Sequence, residues 1–288
     1  MSRVDLAQQR RFYAEELDAV CAFRTPGLAD AFAAVERERF LLRGPWDVLS
    51  LSDYTPGLAP SARKTADADP RHVYHNVGIA IDVERRLFNG HPATLASWID
   101  ALALTAGARV LHIGAGLGYY SAIMAHVVGP SGAVVAVEVD EGLASAARAN
   151  VESVPWVDMR HGDGTHLGGG TFDAVLVNAG VTHPLDEWLD AVAPGGRVML
   201  PLTVQMQPTI GKGFMMRLAR DRSDGWSVRP VGVVAIYSAV GLRDAALEPA
   251  LGQAMTKSPW PATNVLRRDP HAPSAACWFH APNCCFST

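Results

Sequence analysis

The stretch Val110-Leu111-His112-Ile113-Gly114-Ala115-Gly116-Leu117-Gly118-Tyr119-Tyr120-Ser121 constrains this chain more than any other. An apolar strand from Arg109 to Ile113 runs into three alternating glycines. The chain then resumes as a helix over Tyr119 to Val128, with Ile123, Met124 and Val127 at helical spacing. Glycines let the backbone turn through positive φ and approach a ligand closely. A helix N-terminus offers unpaired N–H groups and a partial positive charge to an anion. Strand, glycine turn and helix N-terminus in this order predict a nucleotide-cofactor site. Gly114, Ala115, Gly116, Gly118 and Tyr119 are its first candidates.

The spacing narrows the cofactor. The dinucleotide fingerprint G-x-G-x-x-G needs a third glycine to pack helix on strand. Here Gly118 is followed by Tyr119, so the pattern is G-x-G-x-G, and an NAD-dependent oxidoreductase is disfavoured. The pattern resembles the first motif of class I methyltransferases that use S-adenosylmethionine (SAM), whose loop holds the methionine end of the cofactor. A glycine-rich turn also occurs for purely structural reasons, so later positions have to decide. The next apolar run, Ala133 to Val137, ends at Glu138 and Val139, about twenty residues past the glycines, where an acid suits a ribose diol. A carboxylate accepts both hydroxyl protons. The run Val157 to Arg160 leads into His161-Gly162-Asp163-Gly164. An Asp at that strand end can accept from the adenine amine, and Gly164 lets the ring lie against the backbone. Asn178 ends a fourth strand at the equivalent place.

Composition excludes some functions. Of 288 residues, 49% are apolar and 19% charged, with a net charge of −4, as in an ordinary soluble domain with a large core. The balance does not favour nucleic-acid binding. No run approaches the ~18 apolar residues that span a bilayer. Residues Ser2 to Arg11 are polar and lack a signal-peptide core, so a cytoplasmic protein without membrane attachment is expected. The cysteines, Cys21, Cys277, Cys284 and Cys285, make no C-x-x-C pair. With His271 and His280 they show no regular ligand spacing, so no metal site is expected.

Along the chain, Val4–Phe23 and Leu28–Phe40 read as helices. The second ends in Glu36-Arg37-Glu38-Arg39, a charge run expected to be a solvated face. Asp47–Pro70 reads as a long irregular segment of the kind that forms lids. Val73–Val83 is extended, Asn89-Gly90 is a turn signal, and Pro92 opens a helix reaching Ala106. Later strands are Phe172–Asn178 and Arg197–Pro201, with a helix around Leu185–Val192 between them. Gly213–Ala219 and Trp226–Ile236 suit an antiparallel edge, Glu248–Met255 a helix and Ala276–Phe286 a last strand. The predicted fold is α/β: a Rossmann-like, doubly wound, mostly parallel sheet with an antiparallel edge, an N-terminal helical extension and a C-terminal appendage. The expected division is 1–92, an N-terminal helical and irregular region; 93–240, the SAM-binding domain; and 241–288, the appendage. Ligands in such sheets bind at the carboxyl ends of the strands, where Gly114, Glu138, Asp163 and Asn178 all fall.

Leu28 to Thr203 resembles the protein-L-isoaspartate O-methyltransferases, a branch of the SAM-dependent class. The matching pieces are Val35-Glu36-Arg37-Glu38-Arg39-Phe40, Gly114 to Gly118, Gly162-Asp163-Gly164, Phe172-Asp173-Ala174, and Ala193-Pro194-Gly195-Gly196-Arg197-Val198-Met199-Leu200-Pro201. The closing segment from Cys277 looks like the tail of a bacterial sub-branch. The resemblance implies SAM as cofactor and a peptide, protein or small-molecule methyl acceptor. One departure stands out. The family's serine beside the transferred methyl corresponds here to Gly90, in Phe88-Asn89-Gly90-His91-Pro92. Asn89, His91 and His183 are therefore the catalytic candidates, the histidines as bases and the asparagine as a donor. His112, inside the first strand, reads as core. The expected activity is O-methylation of a carboxylate on a peptide, protein or small acid. A small-molecule or natural-product methyltransferase with a histidine base and a SAM-binding module without transferase activity stand as alternatives.

Overall fold

The structure, a computed structural model, describes residues 5–50, 61–257 and 260–288. The chain divides into two compact units that are interleaved along the sequence: residues 1–107, 115–134 and 140–160 form one, and 108–114, 135–139 and 161–288 the other. The sequence reading divides the chain into three consecutive segments, 1–92, 93–240 and 241–288.

In the first unit, α1 (Leu6–Cys21) starts at Asp5, whose carboxylate accepts from the Ala7 amide at 3.0 Å. Next come α2 (Leu28–Ala34), β1 (Asp47–Leu49), β2 (Arg63–Lys64), β3 (Gly78–Asp82), β4 (Leu87–Phe88) and α3 (Pro92–Leu102). The four strands form a small sheet in the order β2-β1-β3-β4. Part of the expected irregular segment Asp47–Pro70 is thus ordered as β1 and β2, while 51–60 lies outside the described residues. The helix expected over Leu28–Phe40 is not continuous. Val35 is extended at φ −77° and ψ 118°, and Arg37–Phe40 is a separate 3-10 turn. Nor is the charge run a solvated face, because Arg37 is 0% exposed.

After the second unit's β5 (Arg109–Ile113), the glycine loop leads to α4 (Tyr119–Val128) in the first unit. β6 (Ala133–Glu138), α5 (Glu141–Asn150) and β7 (Val157–His161) follow, with β6 and β7 each divided between the units. Asp140 caps α5 by accepting from the Leu143 amide at 2.9 Å. The rest belongs to the second unit: β8 (Phe172–Val177), α6 (Asp186–Asp190), β9 (Val192–Gln207), β10 (Ile210–Arg220), β11 (Trp226–Tyr237), α7 (Glu248–Lys257), β12 (Val265–Arg267), β13 (Cys277–His280) and β14 (Cys285–Ser287).

The large sheet has ten strands in the order β13-β14-β12-β11-β10-β9-β8-β5-β6-β7. β5 runs parallel to β8 and β8 to β9. The order reverses at β5, with β6 on one side and β8 on the other, which is the switch point where α/β sheets bind ligands. From β9 outward the pairings are antiparallel, so the expected edge hairpin is the start of a longer extension. The expected last strand is a hairpin instead. The chain turns at Pro282-Asn283, where the Ala281 amide donates to the Cys284 carbonyl at 2.8 Å.

The second unit's core is built from alternate residues of these strands and from α6 and α7. It includes Leu111, Val175, Val177, Trp188, Leu200, Met216, Leu218, Leu251 and Phe286, all buried. Burying each such side chain contributes about 1.5–3 kcal/mol. Trp188 also donates from Nε1 to the Gly164 carbonyl at 2.9 Å, tying the core to the loop after β7.

Candidate cofactor and acceptor site

Within the second unit the strand tips are laced together by their own backbone. The Gly114 amide donates to the Val137 carbonyl at 2.9 Å, the Asn178 amide to Ile113 at 2.8 Å and the Gly162 amide to Glu138 at 2.9 Å. The Asn178 side chain donates to the Gly114 carbonyl at 3.3 Å. Gly114 has φ +79°, and a Cβ there would lie 3.1 Å from the Asn178 carbonyl oxygen. Gly164 has φ +85°, with Ile113 at 3.1 Å from a built Cβ. Both positions exclude a side chain for two reasons, backbone conformation and space. Gly114, Glu138, Val139, Asp163, Gly164 and Asn178 therefore lie at or just past neighbouring strand ends.

Each acid is differently held. Glu138 is 8% exposed at its strand tip. Asp163 accepts through Oδ1 from the Thr165 amide at 3.0 Å and the Thr165 hydroxyl at 2.7 Å. These bonds, the hydroxyl's first, hold its carboxyl below the ordinary range. Neither bond uses Oδ2. Asn178 braces the glycine turn.

The loop continues from Gly114 into the first unit. Gly116 has φ +56° and Gly118 φ +89°. A Cβ on Gly118 would make ordinary contact with Val151 at 3.4 Å and Ala147 at 3.5 Å, so it is the positive φ rather than space that favours glycine there. Tyr119 opens α4, but its side chain is buried against Phe40 and Tyr120 and beside the Arg37 guanidinium. Its backbone, not its ring, belongs with the loop.

The acceptor candidates are spread over both units. Asn89 Oδ1 accepts from the Ile79 amide at 2.9 Å and from Arg37 Nη2 at 3.4 Å. Its Nδ2 is buried with no hydrogen-bond partner, so one donor is fixed in place and unspent. His91 caps α3 through its backbone and lies beside Gly78 of β3. His183, in the second unit, shares a hydrogen bond between Nδ1 and the Thr182 hydroxyl at 3.0 Å. Half-burial lowers its pKa against the opposing pull of Asp244 and Asp186, so the imidazole is neutral near pH 7.

Sequence reasoning missed Arg37. Its Nη1 donates to the carbonyls of Val73 at 2.6 Å and His75 at 3.0 Å, and its Nη2 to Val77 at 2.8 Å. A charge run gives no sign that one of its members turns inward.

The family model described as protein-L-isoaspartate(D-aspartate) O-methyltransferase matches residues 63–228. The chain belongs to this family. The protein-L-isoaspartate O-methyltransferase of Methylorubrum extorquens strain PA1 is 32% identical over 246 residues, covering 83% of this chain and 93% of the relative. That of Thermotoga maritima is 32% identical over 142 residues, 47% of this chain and 44% of the relative. A solved protein-L-isoaspartate O-methyltransferase superposes with TM-score 0.63 at 23% identity, over 86% of this chain and 69% of the other. A putative one from Plasmodium falciparum, in complex with S-adenosyl-L-homocysteine, gives 0.55 at 15% identity, over 80% and 97%. These two likenesses speak to the fold. The family is SAM-dependent, and the strand-tip residues fit that cofactor: glycines leave room for its backbone contacts, and a buried carboxylate ends β6. Among the described residues no helix is long and apolar enough to cross a membrane.

Gly90, in the turn before α3, has a structural reason to lack a side chain. Its φ is +80°, and a Cβ would lie 2.8 Å from Leu95 Cδ2. Gly90→Ser is expected to cost about 1–2 kcal/mol through left-handed strain. Urea unfolding checks this, and an unchanged midpoint would refute it.

Proposed function

We propose that this chain methylates a carboxylate of a peptide or protein, with Glu138 and Asp163 holding SAM. SAM supplies a methyl group on a sulfonium. Glu138 accepts from the ribose hydroxyls, the backbone from Gly114 to Gly118 receives the amino-acid end, and Asp163 accepts from the adenine amine. A carboxylate acceptor is ionised at pH 7 and needs no base. Alignment for in-line attack then carries most of the catalysis, worth about 7–11 kcal/mol. The observation that carries the reading is family membership together with the laced strand tips.

The test is methyl-labelled SAM with isoaspartyl peptides, aspartyl peptides and small acids. A carboxylate product is a methyl ester, which mild base hydrolyses to volatile methanol. Base-stable label on a phenol or amine would overturn the reading. It would favour His183 as base, a reading supported by its neutral, Thr182-bonded imidazole. Binding of S-adenosylhomocysteine without transfer to any acceptor would point to a binding module. Glu138→Gln is expected to weaken S-adenosylhomocysteine binding about 10- to 100-fold, since hydrogen bonds to a charged group are worth about 1.5–3 kcal/mol. Calorimetry reads this directly.

A further inference from the structure

We propose that His271, Cys277, His280 and Cys285 bind one zinc ion in a closed tetrahedral site. Their ligand atoms all lie within 4.8 Å of one another. Cys277 Sγ is 3.9 Å from His271 Nε2. With Zn–S near 2.3 Å and Zn–N near 2.0–2.1 Å, tetrahedral ligands stand about 3.3–3.8 Å apart. Small side-chain adjustments therefore close the site around an ion. Two thiolates and two imidazoles are a donor set that selects zinc by geometry and softness.

The surroundings are those of a ligand shell. His271 Nδ1 lies 2.7 Å from the Asp269 carbonyl, so it donates there and Nε2 carries the lone pair. The Ser274 amide donates to Cys277 Sγ at 3.3 Å. His280 Nδ1 is buried with no hydrogen-bond partner. In the hairpin, His280 is directly opposite Cys285, which brings two ligands together from adjacent strands. The adjacent Cys284 belongs to the apolar core. Alternation along the strand thus separates the two cysteines. The spacing Cys277-x-x-His280 is the signal in the sequence, one that a search for C-x-x-C pairs passes over.

Two thiol protons leave to solvent as two S–Zn bonds form, and the charges of one Zn²⁺ and two thiolates cancel. Four protein ligands leave no open position, so the ion is structural, joining the 267–277 connection to the hairpin.

The test uses the full chain, reduced and stripped of metal, then titrated with Zn²⁺ and separately with Co²⁺. The expected result is one equivalent bound, with a tetrahedral Co²⁺ spectrum and thiolate charge-transfer bands. Cys277→Ser and Cys285→Ser should each abolish stoichiometric binding, while Cys284→Ser and Cys21→Ser retain it. If those variants fail to fold, peptide mapping of the unmutated protein decides: Zn²⁺ should protect Cys277 and Cys285 from alkylation. No uptake by the reduced protein, or uptake without that protection, would overturn the proposal. None of these readouts depends on methyl transfer.

Discussion

Arg37→Met is expected to destabilise the protein by about 3–5 kcal/mol, because a wholly buried guanidinium holds three backbone carbonyls. The guanidinium is wholly buried and lies 5.7 Å from the ring centroids of both Tyr13 and Tyr119. It donates to the carbonyls of Val73, His75 and Val77. Methionine preserves much of the packing but leaves those carbonyls without their donor, and an orphaned buried group costs about 1–3 kcal/mol. Removing the cost of burying a cation offsets part of the sum. Arg37→Lys should recover little, because one ammonium cannot reach oxygens that a planar fork reaches in several directions. Denaturant midpoints check this, and a loss under about 1 kcal/mol, the size of one ordinary hydrogen bond, would refute it.

Acid should destabilise the fold through His112. Burial in β5 pushes its pKa down to about 3 from the usual 6.5. The unfolded chain therefore binds a proton that the folded chain refuses. Stability is unaffected by this group above about pH 6.5 and falls as the pH drops from there toward about 3. The full loss is on the order of 4–5 kcal/mol, and about 2 kcal/mol of it should appear by about pH 5. His183 is shifted in the same direction by burial and adds to the slope. Urea unfolding near neutral pH and at about pH 5 measures the difference. His112→Leu should remove most of it, and an unchanged slope in that variant would refute the assignment.

The strand tips were legible because their geometry is local. A strand, its terminal residue and the following turn are contiguous, so Gly114, Glu138, Asp163 and Asn178 could be placed at strand ends from their order alone. What escaped depended on contacts far apart in sequence. Arg37 looks like any charge on a solvated turn, and only Val73, His75 and Val77 make it internal. The cluster His271, Cys277, His280 and Cys285 depends on a hairpin that the sequence reads as one strand. The Leu28–Phe40 helix breaks where helical spacing gives no warning, at the extended Val35. Tyr119 suits the cofactor loop by position, whereas its ring follows the aromatic packing around Arg37.

The alternation of the chain between its two units bears on synthesis. The first unit takes in residues 140–160 as well as the opening 107. A nascent chain therefore lacks part of the first unit's segments until residue 160 has been synthesised. No single cut of the chain releases either unit whole.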